Sequence, residues 1–198
     1  MSLQTAAAEK YPMIHHTFTP KIVPFSVCSI DNLTGCVPQT QIDGLRKVSD
    51  IFRKAGVAHV AVGGLAVGAN GYLRNTDNID FLVGDNAFVC QDNFVYVRND
   101  LPIEYFGTKV GWVSMTAAEK TIFGKYLMVP APGQIPIMPI EPLIGMKLIA
   151  DRHKDRTDII ELVKVRTDLA SIVDFTTSNL PHLLPRLAEL IVCAEKEK

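Results

Sequence analysis

Residues 61–83 read AVGGLAVGANGYLRNTDNIDFLV, and the parsing of this stretch decides the fold. Residues 57–62 are short and apolar, and the Gly63–Gly64 pair ends them, which is the signature of a buried strand. The glycines then break the strand, residues 65–72 read as a short helix, and residues 79–83 as a second strand. Strand, glycine turn, helix, loop and strand together form a unit of α/β or α+β architecture.

Working outward, Ile42, Leu45, Val48, Ile51 and Phe52 recur at spacings of three and four, one face of a helix. Thr40 and Asp43 approximate a capping box at its start, and Gly56 stops it at a position that tolerates positive φ. Residues 1–40 carry Pro12, Pro20, Pro24 and Pro38 and read as an N-terminal extension. Within it residues 22–30 alternate like a strand that Pro24 confines to an edge. Downstream, strands are predicted at 94–97 and 102–106, a helix at 116–128 with Thr116 and Glu119 as its capping box, and a short strand near Ile137. From Glu141 the pattern is helical in three pieces, 141–151, 154–165 and 179–196. The expected architecture is a small mixed sheet flanked by helices over 41–140, followed by a helical C-terminal part over 141–198.

Composition bounds the function classes. The chain has 198 residues, of which 47% are hydrophobic, enough for a sizeable core and too many for wholesale disorder. Twenty Lys and Arg stand against 21 Asp and Glu, a net charge of -1. That balance gives no bulk steering toward nucleic acid, although a local basic patch stays open. Cys28, Cys36, Cys90 and Cys193 form no C-x-x-C pair and are read as reduced thiols. His15 and His16 are read as a solvated pair in preference to a metal site. The first residues lack the basic and apolar regions of a secretory signal, and there is no run of 18 apolar residues. The expected location is the cytoplasm, with no membrane contact.

The stretch 61–83 matches neither of two common phosphate-binding patterns. Gly63 and Gly68 have P-loop spacing, but Ala69 and Asn70 stand where lysine and a hydroxyl belong. The dinucleotide fingerprint fails as well, because Gly63-Gly64-Leu65-Ala66 lacks the G-x-G-x-x-G order. A third design fits better: a glycine turn whose backbone approaches a triphosphate, followed by a strand bearing oxygen ligands. Asn78 and Asp80 are two apart, so on a strand they share a face while Asp77 faces away. Glu104, between Ile103 and Tyr105, offers a third oxygen from a neighbouring strand. Oxygen ligands beside a phosphate-binding turn suit magnesium-dependent phosphoryl transfer.

Gly63-Gly64, a helix, and then Arg74-x-Thr76-x-Asn78-Ile-Asp80 with an apolar tail resembles the DNA polymerase β-type nucleotidyltransferases. The likeness is greatest to small bacterial members similar to the toxins of abortive-infection toxin–antitoxin pairs. It extends to the segment 142–162, where Lys147, Arg152, Lys154, Asp155 and Asp158 follow that group's pattern. The resemblance implies a nucleotidyltransferase fold that uses Mg²⁺ or Mn²⁺ to move a nucleoside monophosphate from NTP to RNA or a protein, with an antitoxin as a partner. It further implies that Gly63, Gly64, Arg74, Thr76 and Lys147 contact the nucleotide, and that Asp80 and Glu104 are catalytic, metal-binding carboxylates. The family's first carboxylate falls at Asn78, where an amide offers a carbonyl oxygen without the charge. A degraded member, keeping the pocket as a binding or regulatory module, is the alternative.

Plainer readings stay open for the same residues. Gly63-Gly64 also serves as an ordinary strand-to-helix turn, Arg74 as a surface cation, and Lys147 as a snorkelling helix residue. Residues 152–158 carry both signs and read as a solvated turn, with Asp155 and Asp158 satisfying a helix dipole. Trp112 reads as a packing residue.

Overall fold

The computed structural model describes residues 30–92 and 94–197. The predicted edge strand, apart from Ile30, lies outside the described residues, as do His15, His16 and Cys28. The fold is mixed α and β: a four-stranded mixed sheet, a two-stranded sheet and, among the described residues, seven α-helices. The chain divides into two compact units, residues 27–144 and a second that holds 145–198.

In the first unit, helix α1 (Gln39–Lys54) buries Ile42, Leu45, Val48 and Phe52 on one face, the face its spacing predicts. Its start differs from expectation. Pro38 occupies the N-cap with φ -50°, no side chain caps the end, and Thr40 lies inside the first turn. The proline ring already sets a helix-compatible φ, and its carbonyl accepts the Gln41 N–H at 2.9 Å, so no hydroxyl is needed. The far end is a Schellman turn: Gly56 has φ +69°, its N–H donates to the Arg53 carbonyl, and the Val57 N–H donates to that of Phe52.

Strand β1 (His59–Val62) leads into helix α2 (Gly63–Ala69), which begins at the glycine pair itself and not at residue 65. Strand β2 is Asn78–Val83, and strands β3 (Phe88–Gln91) and β4 (Phe94–Val97) form a separate hairpin. The predicted strand 102–106 shrinks to β5 (Glu104–Tyr105), because Pro102 has no N–H to give and the chain turns at Phe106–Gly107. Strand β6 (Thr108–Val113) was not predicted, and it runs between β2 and β5 in the order β1-β2-β6-β5. Glu104 therefore does not stand on the strand next to β2. Helix α3 (Ala117–Phe123) carries the predicted capping box between Thr116 and Glu119, but it ends at Phe123 and continues as a 3-10 turn, Gly124–Tyr126. The strand expected near Ile137 is a single parallel bridge to Ala61.

Cross-strand partners share a face. On one face, His59, Phe81 and Trp112 meet the Phe52 ring of α1 at centroid distances of 5.2, 5.1 and 4.8 Å. Trp112 is thus a packing residue. The opposite face carries Val62, Asn78, Asp80, Lys109, Gly111 and Glu104 by register.

His59 is fully buried on the α1 side, with Nδ1 2.9 Å from the Val57 carbonyl and Nε2 2.7 Å from the Ser49 hydroxyl. A nitrogen facing a carbonyl must donate, so the ring is neutral with its proton on Nδ1, and Ser49 donates to Nε2. Burial holds the His59 pKa below 6.5. Protonation then favours the unfolded chain, which binds the proton more readily. The stability contributed by the neutral ring is complete above pH 6.5 and is lost as pH falls toward the lower folded value. Guanidinium unfolding at pH 7.5, 6 and 5 should show this decline, and His59→Gln should flatten it. An unchanged slope in that variant would assign the decline to other groups.

The second unit is helical. Helix α4 (Ile140–Ala150) leads into it, followed by α5 (His153–Lys164), α6 (Ala170–Asn179) and α7 (Leu184–Lys196). The tail thus has four helices, not three. Helix α6, ASIVDFTTSN, is rich in the Ser, Thr and Asp that depress helix propensity. It holds through tertiary burial of Ile172 and Thr176. Helices α5 and α6 both pack on α7. No helix among the described residues is long and apolar enough to cross a membrane.

Candidate functional site

The Gly63–Gly64 pair lies where the chain leaves β1, and Gly63 has φ +65°. A Cβ on Gly63 would overlap the Asp80 carboxylate and stand 2.8 Å from the Asp80 Cβ. A Cβ on Gly111 of β6 would overlap the other Asp80 oxygen. The half-buried carboxylate is thus wedged between two bare stretches of backbone. A Cβ on Gly64 would stand 2.7 Å from the Thr76 Cβ and 3.2 Å from the Arg74 Nη1. The space left by the glycines is filled by the protein's own Asp80, Thr76 and Arg74.

The loop between α2 and β2 is tied in place. Arg74 Nη1 donates to the Asn75 carbonyl at 2.9 Å, and the Thr76 hydroxyl donates to the Asn78 carbonyl at 3.3 Å. The Gln41 amide of α1 donates to the Thr76 carbonyl. The structure therefore brings Gly63, Gly64, Arg74, Thr76 and Asp80 together, with Asn78 on the Asp80 face of β2.

Glu104 is placed differently. Lys109 is the partner of both Asn78 and Glu104, so the row across the sheet is Asn78–Lys109–Glu104. Strands lie about 4.8 Å apart, which puts the Asn78 and Glu104 backbones roughly 10 Å from each other. Sequence reasoning missed Lys109 and Gly111 because it had no strand there. The signal was present: Thr108, Val110 and Trp112 alternate with Lys109 and Gly111 at period two.

These residues do not fit a two-metal centre. Asn78 brings no charge, and a lysine occupies the position between it and Glu104. Among the described residues, no three His, Cys, Asp or Glu side chains are grouped to hold an ion.

Lys147 belongs to the C-terminal unit. Its side chain is 7% exposed, and its ammonium lies 3.2 Å from Asp155 and 2.5 Å from Asp158, themselves 2% and 1% exposed. Arg152 Nε donates to Asp155 at 2.5 Å. Burial pushes the Asp155 pKa up, but the Arg152 hydrogen bond and the Lys147 charge outweigh it and hold the carboxyl below 3.8. Residues 152–158 are thus not the solvated turn that mixed charge suggested: Asp155 and Asp158 face inward, where only a paired cation makes burial tolerable. Cys36, Cys90 and Cys193 are free, exposed thiols.

No family model matches the chain, and no curated protein matches it.

Proposed function

We propose that this chain is a nucleotide-binding module on a nucleotidyltransferase-type fold, one that takes the phosphates of an NTP without metal-dependent transfer. The observation that carries the reading is the Asn78–Lys109–Glu104 row, with an amide and an ammonium on the face shared with Asp80. Arg74 over Gly64, together with Lys109, supplies the positive charge that a triphosphate needs. The module would act as a regulatory or partner-binding protein, and an antitoxin-like partner is compatible with it.

Calorimetric titration with ATP, GTP, CTP and UTP tests the proposal. Binding should be equal within a factor of three with Mg²⁺ or with EDTA, and Arg74→Ala or Lys109→Ala should weaken it about tenfold, the worth of one charge-assisted hydrogen bond. No heat for any of the four at millimolar ligand would end the nucleotide reading. A second reading, transfer to RNA or a protein hydroxyl, is favoured by the placement of Asp80 against Gly63. Label moving from α-labelled NTP to total RNA or protein, and ceasing in Asp80→Ala, would replace the first reading with that one.

A further inference from the structure

The outer face of α1, Tyr105 and the loop 133–135 enclose an open groove of about 500 Å³, lined by Arg46, Lys47 and Arg53 among others. Asp43 and Asp50 also line it, but both are engaged. Asp43 lies 3.6 Å from Arg46 and accepts from Gln39 at 2.9 Å. Asp50 is held between Arg53 at 2.7 Å and Lys54 at 2.8 Å. Lys47 has no ion pair or hydrogen bond among the described residues. Among the lining residues, Arg46, Lys47 and Arg53 thus stand against two carboxylates, a local excess of one positive charge on a chain of net charge -1.

A second observation stands at the same groove. Tyr105 pairs with Thr108, so Phe106–Gly107 is a two-residue hairpin loop, and both residues have positive φ, +45° and +76°. Such a loop favours Asn, Asp or Gly at its first position, because a Cβ is strained there. Phenylalanine is a poor choice on backbone grounds, and its ring is 85% exposed, so packing does not explain it either. The ring stands 4.7 Å from that of Tyr105, which lines the groove. Strain held at an exposed side chain points to a use outside the fold.

We propose that this groove binds a single-stranded nucleic-acid segment, with phosphates against Arg46, Lys47 and Arg53 and one base against the Tyr105–Phe106 pair. Arg46 and Arg53 are two helical turns apart, roughly 10 Å, the rise of about three stacked nucleotides at 3.4 Å each. An aromatic platform beside a cationic track is the usual means of holding an unpaired strand, whose bases are free to stack. Since α1 covers the face of the sheet opposite Asp80, the groove does not depend on the nucleotide reading of the glycine turn.

Fluorescence anisotropy of the full chain with labelled 12-nucleotide oligouridylate and oligothymidylate tests this. Binding in the micromolar range is expected, and log affinity should fall with log salt at a slope near -2, about -0.7 for each of three contacts. Lys47→Ala should reduce that slope by about 0.7. Phe106→Asn should raise the melting temperature, by relieving the strained φ, and yet weaken binding tenfold or more. Lys196→Ala, which removes an exposed cation at the end of α7 that does not line the groove, should leave oligonucleotide affinity unchanged. No anisotropy change at 100 µM protein (about the weak limit of non-specific binding) would overturn the proposal. Equal affinity for polyglutamate or duplex RNA would also overturn it, as would full binding in Phe106→Asn or loss of binding in Lys196→Ala.

Discussion

Replacing Lys147 with alanine is expected to cost about 3–5 kcal/mol, enough to unfold the C-terminal helices of a marginally stable chain. The substitution leaves Asp155 and Asp158 buried without the ammonium that bonds both. Asp155 keeps Arg152, whereas Asp158 loses its 2.5 Å contact. The acid limb of stability should move as well. A carboxyl held below 3.8 contributes stability that is present above that value and is lost as pH falls through the lower folded value. With Lys147 gone, Asp155 is held down less firmly, so acid unfolding should begin at higher pH. Guanidinium unfolding at pH 7, with an acid titration followed by circular dichroism, checks both points. Lys147→Met combined with Asp155→Asn and Asp158→Asn should recover much of the loss, since a neutral cluster needs no counter-charge. A loss under about 1 kcal/mol, the range of surface pairs, together with weaker NTP binding, would return Lys147 to the nucleotide.

Gly63→Ala should cost about 2–5 kcal/mol. The left-handed backbone accounts for roughly 1–2 kcal/mol, and forcing a methyl against Asp80 for about 1–3 kcal/mol more. Gly56→Ala separates these terms. Gly56 has a nearly equal φ, +69°, but open space where its Cβ would stand, so only the backbone cost remains. Gly63→Ala with Asp80→Ala should recover the overlap part, because the two residues are coupled through contact. Urea unfolding of the four proteins decides it. If Gly63→Ala is no worse than Gly56→Ala, the wedge of Asp80 between Gly63 and Gly111 has no energetic weight.

Much of the architecture was legible from local pattern. Helix α1 declared itself by its spacing of three and four, β4 by its β-branched and aromatic run, and α3 by its capping box, since each signal lies within a few residues. Two of the misses share a cause. Thr108–Val113 holds a lysine and a glycine, and only pairing on both sides, with β2 and β5, makes it a strand. Helix α6 has weak propensity and exists because Ile172 and Thr176 are buried. At the site, the proximity of Asn78 and Asp80 followed from the two-residue period of one strand. The place of Glu104 did not, because it depends on which strand intervenes.

The sequence by itself determined the mixed α and β class, the break at Gly63–Gly64, the shared face of Asn78 and Asp80 and the helical character of the tail. Each of these rests on periodicity, on glycine's freedom or on a cap, and such forces act along a few residues of chain. Only the tertiary structure decided that Lys109 stands between Asn78 and Glu104, that Asp80 is wedged between Gly63 and Gly111, and that Lys147 is consumed by two buried carboxylates. Those arrangements come from strand order, close approach and burial, which join residues far apart in sequence and leave no mark in the local pattern.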